Sequence, residues 1–580
     1  MRIAWESWHG SPARRSGVCA AASWRPRVSS EPLEPPRLRW WLALACAAAG
    51  GYLLDIASPG LAWWWAAFPG VGLIVAAVWQ QRWPLGLLLG AVAGAAFWMP
   101  HISWLTLYLG PVPWLALSTV MLLWFALFGA VASLATRGLA VLARGVFVPE
   151  RHRRRALRAL PLAQALAVAG LWVLREGVQG SWPYGGFPWG RLAHTQAEGP
   201  LLQSVSWLGF AGLSGVLALV CAVPVACSFA CASAATGRAT RPLLVATAAS
   251  AVAILVLALL PATALERTGS VRIGAVQGNS KSGIFDDRDS GSVLGDHLAA
   301  TQTMLDQLEA EDESVDLIVW PENSAEFGIP DNPLGSYRLA KLSERAGAPI
   351  LIGSVLASDD GTYTNSSLLW GPEGQLPGRY DKLHPVPFAE YMPNREFFHA
   401  LAPDLVDLVQ LEYAPGTLPS ALDLSTQAGV VRAGLAICFD IIFDAQAVAM
   451  VDGGAEVILA QTNNADFGRT DESAQQLAIA RLRAVETGRA LVNISTVGTS
   501  AVVAPDGSEL DRLVPHTADA MVATVPLVHG ATPALVIGAP VAGGFMLLGG
   551  AGLALGAAAL IARARRSARS GSAAAGAEQL

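Results

Sequence analysis

The sequence predicts a protein of two parts: a multi-pass α-helical membrane domain of about eight transmembrane helices, and an α/β outer domain. Three observations carry this. Eight apolar runs recur, seven before residue 266 and one after residue 532. The 580 residues are 53% hydrophobic and only 14% charged, and the charge is segregated along the chain. Between the seventh and eighth runs, short β-branched stretches alternate with amphipathic ones, the pattern of sheets covered by helices.

The apolar runs lie at about 40–57, 61–80, 83–102, 113–135, 160–175, 201–231, 242–263 and 533–562. Most are long enough to cross a hydrocarbon core about 30 Å thick. The fifth is short, and the sixth is long and contains Pro224. One such run could equally be a buried helix of a soluble protein, but eight in one chain argue for a membrane.

Arginine placement tests the count. Arg14, Arg15, Arg25 and Arg27 precede the first run, and Arg151, Arg153, Arg154, Arg155 and Arg158 crowd the loop from 137 to 158. Arg238 and Arg241 lie in the next basic loop, and Arg563, Arg565, Arg566 and Arg569 follow the last run. Basic loops stay on the cytoplasmic side. With residue 1 inside, seven crossings keep all of these inside and put 266–532 outside. The expected organisation is a disordered cytoplasmic tail at 1–37, a membrane domain at 38–265, an extracytoplasmic domain at 266–532, a last span at 533–562 and a basic tail at 563–580. No short apolar stretch with a small-residue cleavage site precedes the first span, so the tail does not read as a signal peptide.

Composition also excludes. The net charge of −6 combines a basic inner face with an acidic outer domain, which argues against nucleic-acid binding. The runs carry almost no charge, unlike ion and proton pathways. Cys46, Cys221, Cys227 and Cys231 lie in or near the runs and read as small apolar packing residues, with Cys19 in the tail. No cysteine spacing suggests a metal site.

In the outer domain, strands are expected at 271–277, 317–320, 350–355, 366–370, 430–437, 457–461, 490–494, 500–503 and 521–525, and helices at 293–310, 337–346, 443–452 and 471–487. About 265 residues can bury a sizeable core. The periodicity leaves the strand order open.

Cys438 is the one cysteine of 266–532, and it ends the apolar run 430–437. Glu322 and Lys382 stand in similar settings, in Trp320-Pro321-Glu322 and Tyr380-Asp381-Lys382. Strand ends are where α/β enzymes place chemistry. An acyl-transferring cysteine needs a base for its thiol proton, which a partly desolvated carboxylate supplies. Its tetrahedral intermediate needs a fixed cation or N–H for the oxyanion. Glu322, Lys382 and Cys438 match these roles. Each alone reads as an ordinary loop acid, loop cation or packing residue; it is the combination that points to catalysis.

The outer domain resembles the nitrilase superfamily of carbon–nitrogen hydrolases. The matching runs are 317–322 (Leu-Ile-Val-Trp-Pro-Glu), 380–393 (from Tyr380-Asp381-Lys382 to Tyr391-Met392-Pro393) and 436–440 (Ala-Ile-Cys-Phe-Asp). With the membrane segments, the chain is similar to the apolipoprotein N-acyltransferase family. Gly185-Gly186-Phe187-Pro188-Trp189-Gly190, Thr462 to Gly468 and Gln475 to Glu486 share in that likeness. The resemblance implies a nitrilase-like αββα sandwich and a Glu322-Lys382-Cys438 triad. It implies that Cys438 takes an acyl chain from a membrane phospholipid as a thioester and passes it to the N-terminal amine of a diacylglyceryl-cysteine apolipoprotein. Lys382 and the Phe439 N–H hold the oxyanion, supported by Glu390, Asn365 and Asp440. Phe187, Trp189 and Phe285 are candidates for substrate access. No cofactor or metal is required, and the location implied is the bacterial cytoplasmic membrane. The N-terminal tail is a candidate docking segment for an envelope-pathway partner.

Two departures bear on detail. Better-known members carry Tyr-Glu after the cysteine, where this chain has Phe439-Asp440. They also carry a Trp soon after Val-Gln-Gly-Asn, where 280–287 offers only Phe285. The alternative reading is a membrane-tethered amidase or nitrilase-type hydrolase, in which water replaces the amine. A catalytically dead binding module is the third, opposed by the retained triad.

Overall fold

The computed structural model describes residues 36–144, 150–232, 240–283, 287 and 289–577. The expected tail at 1–37 lies almost entirely outside them, as does Phe285.

Among the described residues, seven helices are long and apolar enough to cross a membrane. They are Trp40–Ala57, Trp83–His101, Pro111–Arg144, Glu150–Gln179, Val205–Ala232, Thr240–Ala258 and Pro533–Ala577. The apolar run at 61–80 forms a shorter piece, a 3-10 turn Trp64–Ala66 and the helix Ala67–Val78. It still joins the two levels of its neighbours. Gln81 Nε2 donates to Leu38 O at 3.0 Å, before the first helix, and Trp63 N donates to Ile56 O at 3.0 Å, at its end. The helices on either side therefore point the same way, and His101 lies 3.5 Å from Asp55 at their shared end.

Several helices outrun their apolar segments. The run at 113–135 lies inside Pro111–Arg144, and that at 160–175 inside Glu150–Gln179. Hydropathy reports the part in lipid, while arginine-rich turns continue the helix beyond it. Helices approach closely through small residues. A Cβ on Gly90 would stand 2.1 Å from the Phe125 carbonyl oxygen.

The outer domain is two six-stranded mixed sheets face to face. Its strands are β1 (Glu266–Gln277), β2 (Leu317–Val319), β3 (Ile350–Ala357), β4 (Tyr363–Gly371), β5 (Gly374–Asp381), β6 (Ala421–Thr426), β7 (Gly429–Ile437), β8 (Val457–Thr462), β9 (Ala490–Ser495), β10 (Ala501–Val503), β11 (Glu509–Arg512) and β12 (Asp519–His529). One sheet runs β12-β1-β2-β3-β4-β5, the other β11-β10-β9-β8-β7-β6. In each, the three strands that carry parallel pairing are central: β1-β2-β3 and β7-β8-β9.

Successive side chains of a strand point to opposite faces, and this sorts the core into layers. Leu317, Val319 and Leu351 face Leu435, Ile437 and Leu459 between the sheets. Ile318, Trp320, Ile350 and Ile352 turn outward to Leu298 and Met304 of the helix Ser292–Ala310 and Leu339 of the helix Pro333–Ala346. On the other side, Ile458 and Ala460 join Leu477 and Ala480 of the helix Glu472–Thr487 in one core with the membrane helices. The order helix, sheet, sheet, helix is the αββα sandwich. Its last helical layer, Glu472–Thr487 with Asp444–Asp452, lies toward the membrane domain.

Candidate active site

Each of the three expected residues follows directly on a strand end. β2 stops at Val319 before Trp320-Pro321-Glu322, β5 stops at Asp381 before Lys382, and β7 stops at Ile437 before Cys438. Gly353 on β3 admits the turn that carries Glu322. A Cβ there would stand 2.6 Å from Pro321 O and 2.9 Å from Glu322 Cα. Cys438 adopts φ +50°, a left-handed conformation uncommon for a side-chain-bearing residue and concentrated at functional sites. Behind it opens a short 3-10 turn, Cys438–Ile442.

The structure brings these residues into one cavity of about 500 Å³, lined by Glu322, Lys382, Glu390 and Cys438. Lys382 Nζ lies 3.0 Å from Glu322 Oε1 and 3.0 Å from Glu390 Oε1. Asn365 Nδ2 donates to the same two oxygens at 2.7 and 3.2 Å. Its backbone oxygen accepts the Lys382 N–H at 2.8 Å, so lysine and asparagine are placed together. Glu390 Oε2 accepts the Val386 N–H at 2.6 Å, which fixes the second carboxylate in its own loop.

The electrostatics follow from this geometry. Burial pushes the Glu322 carboxyl up; Lys382 opposes that and Glu390 adds to it. Burial works against charge on Lys382, but the carboxylates of Glu322 and Glu390 outweigh it and hold the amine well above its usual range. Burial and then Glu322 push the Cys438 thiol well up, against the pull of Lys382. The resting site is therefore an ammonium beside a neutral thiol.

Asp440, fully buried, ties these loops together. Its Oδ2 accepts from Tyr380 Oη (2.7 Å) and Ile437 N (3.1 Å), and its Oδ1 accepts the His384 N–H (2.9 Å) and lies 3.0 Å from His384 Nδ1. Aspartate at this position thus bonds both the turn of Cys438 and the segment around Lys382. Gln461 spans the sheets likewise, donating to Trp320 O at 2.6 Å while accepting from Ser367 Oγ.

Phe187 and Trp189, expected at substrate access, do not line the cavity. Trp189 is buried, and its Nε1 donates to Gln475 Oε1 at 2.7 Å. Phe187 stacks between Trp189 (5.8 Å) and Phe439 (6.2 Å). The Gly185–Gly190 motif therefore props Phe439, the residue after Cys438. The cavity wall contributed by the membrane domain is Tyr108, beside Phe467.

Sequence reasoning gave no role to Glu472, Asn464 or Gln476, all buried near the thiol. Gln476 Nε2 lies 3.5 Å from Cys438 Sγ. Burial pushes the Glu472 carboxyl up to about 8, with Glu322 and Asp466 adding to it. The available signal was the run of polar residues at 472, 475 and 476 at the start of a helix that also carries the apolar positions 477, 478 and 480.

An αββα sandwich with cysteine, lysine and a carboxylate at converging strand ends and a second carboxylate in the adjoining loop, set on a base of apolar helices, defines a carbon–nitrogen hydrolase-type domain in a membrane protein. Residues 272–531 match the carbon–nitrogen hydrolase family model, and residues 50–223 match that of the apolipoprotein N-acyltransferase N-terminal domain. An apolipoprotein N-acyltransferase of Mycolicibacterium smegmatis is 31% identical over 81% of this chain and 77% of its own. Those of Geobacter metallireducens (28%; 72% and 76%) and Ralstonia nicotianae (29%; 89% and 94%) are similar over comparable lengths. The chain belongs to the apolipoprotein N-acyltransferase family.

Proposed function

We propose that this protein transfers an acyl chain from a membrane phospholipid to the N-terminal amine of diacylglyceryl-cysteine in apolipoproteins, through a thioester on Cys438. The observation that carries the mechanism is the ammonium of Lys382 held between Glu322 and Glu390 in the cavity that Cys438 lines. Glu322 takes the thiol proton as Sγ attacks the ester carbonyl. The oxyanion is met by Lys382 and by the Phe439 N–H, one of the first amides of its turn and so without a carbonyl of that turn to bond. The carbonyl re-forms, lysophospholipid leaves as an alcohol with the proton from Glu322, and the acyl chain stays on sulfur. The free amine then attacks the thioester, Glu322 takes its proton, and the electron pair of the C–S bond returns to sulfur.

The match of residues 50–223 to the acyltransferase N-terminal domain favours this over a tethered amidase. Arginine placement supports an extracytoplasmic catalytic domain in the bacterial cytoplasmic membrane. Gln475 Nε2 donates to His101 O (3.0 Å) and Thr532 Oγ1 donates to Glu486 O (2.5 Å), so the catalytic domain abuts the C-terminal end of Trp83–His101 and the start of Pro533–Ala577. Arg37, Arg39, Arg144, Arg241 and Arg563 lie at the opposite helix ends, where the positive-inside rule puts the cytoplasm.

The test is purified full-length protein in phospholipid micelles with a diacylglyceryl-cysteine peptide. The expected results are one acyl chain gained on the peptide amine and, with phospholipid alone, an acyl adduct on Cys438 by intact mass. Unchanged transfer by Cys438→Ala overturns the mechanism; amide hydrolysis without peptide acylation overturns the function.

A further inference from the structure

Three buried polar side chains, Ser495, Asn464 and Gln476, form a directed line that ends on Cys438. It starts at a backbone amide. The Gly498 N–H donates to Ser495 Oγ at 2.9 Å. An amide nitrogen cannot accept, so the serine hydroxyl gives its own proton elsewhere, and Asn464 Oδ1 is 2.6 Å away. Thr462 Oγ1 donates to the same oxygen at 3.3 Å. With Oδ1 occupied as acceptor, Asn464 presents Nδ2 to the other side. There it donates to Gln476 Oε1 at 2.8 Å and Glu472 Oε2 at 2.7 Å. An amide NH₂ has two protons, so both bonds are made at once. Gln476 Oε1 being engaged, its Nε2 is left facing Cys438 Sγ, 3.5 Å away. The orientation of each amide follows from the one before it.

Burying glutamine and asparagine on a helix face that packs on a sheet costs free energy unless each group is bonded. Here every bond of Asn464 and Gln476 is made within the line, and the last donor has sulfur as its partner.

We propose that Gln476 is a further catalytic residue, the donor that stabilises the Cys438 thiolate, aimed by Asn464 and Ser495. This rests on the nucleophile role given to Cys438 above. As the S–H proton passes to Glu322, the charge left on sulfur faces the Gln476 N–H. When the amine breaks the thioester, the electron pair of the C–S bond returns to sulfur and meets the same donor. Both half-reactions therefore gain. The charged or titratable groups acting on the sulfur are Glu322 after β2, Lys382 after β5, and Glu472 on the helix of Gln476. Glu472 accepts from the same Asn464 amide, so the line also holds that carboxyl beside the donor without leaving it unbonded.

The test follows alkylation of Cys438 by iodoacetamide in full-length protein, by peptide mass, from neutral to alkaline pH. The rate follows the thiolate fraction. Gln476→Leu and the similarly sized Gln476→Met both lose the donor. Both are expected to alkylate about tenfold more slowly at a given pH, the size of one pKa unit, with thioester formation and aminolysis each slowed and KM for phospholipid unchanged. Asn464→Asp, which keeps Gln476 but frees its amide, is expected to shift the profile less and in the same direction. An unchanged alkylation profile in folded Gln476→Met and Asn464→Asp protein overturns the proposal, and a raised KM with unchanged alkylation makes Gln476 a packing residue only. A wild-type protein that forms no thioester counts against the acyl-transfer mechanism, while the alkylation comparison still judges Gln476.

Discussion

The Tyr380 hydroxyl donates to Asp440 Oδ2 at 2.7 Å, and so joins the end of β5 to the turn after β7. One bond links the strand that delivers Lys382 to the strand that delivers Cys438, across the two sheets. Asp440→Ala strands the Ile437 and His384 amides and the Tyr380 hydroxyl in a buried site. The expected cost is about 2–4 kcal/mol, given about 1–3 kcal/mol per buried group left unbonded and partial relaxation. Thermal unfolding checks this, and intact mass checks that thioester formation falls with it.

Glu322→Gln keeps the shape of the side chain and the bond to Lys382 but cannot take a proton. Acylation of Cys438 is expected to slow by about 10²–10⁴-fold. Single-turnover mass spectrometry reads the rate; one within twofold of wild type rejects Glu322 as the base.

Lys382→Arg tests the point charge. Lys382 Nζ meets two carboxylate oxygens with one atom, and a planar guanidinium cannot occupy that position. A loss of roughly 10²-fold or more in kcat is expected, with Lys382→Met no better. Recovery of rate in the arginine variant would remove the argument from single-nitrogen geometry.

Glu472 makes a prediction about stability. Its carboxyl is raised from the ordinary range to about 8, so the folded state holds a proton that the unfolded chain has lost. The slope of unfolding free energy with pH is then negative. The stability is fully present below the ordinary glutamate pKa and declines as pH rises to about 8. Glu472→Gln cannot ionise, and its melting temperature is expected to fall less between acidic and mildly alkaline pH than that of wild type. Parallel curves for the two proteins would reject a buried protonated Glu472.

Arg483, fully buried, joins the catalytic domain to its base. It donates to the Ile441 and Ile442 carbonyls and to Asp444, pairs with Glu486, and lies 4.0 Å over the Phe210 ring. Arg483→Met leaves two carboxylates short of a partner. Removing one member of a buried pair costs on the order of 3–5 kcal/mol, measurable as loss of thermal stability in detergent. Arg483→Lys is expected to recover little.

How legible this was from sequence depended on where each residue sits in the layers. Seven of the nine expected strands lie within observed ones, and the other two, 317–320 and 500–503, overhang theirs by one residue, because strands buried on both faces read as apolar runs. The three that escaped, β5, β6 and β11, are all at sheet edges. Their sequences, Gly374–Asp381, Ala421–Thr426 and Glu509–Arg512, are broken by Gly and Pro or dominated by polar residues, as edges commonly are. At the site, Glu322 and Cys438 were visible because catalytic types stood just past predicted strand ends, and Lys382 through its run Tyr380-Asp381-Lys382, although the strand before it was not expected. Gln476 and Asn464 lay in runs noted only for their likeness, because a polar residue among apolar ones does not tell which partner its amide bonds. Phe187 and Trp189 were legible as aromatics and expected at substrate access, whereas the stacking of Phe187 on Phe439 comes only from the fold.

That contact has a consequence for engineering. The ring adjoining the nucleophile rests on a floor built by the Phe187–Trp189 loop, and Trp189 is pinned through Gln475. A soluble fragment cut at residue 266 would expose this underside to water and let the nucleophilic turn sag. The helices below thus hold up the turn of Cys438, and any change in the Phe187–Trp189 loop is felt there.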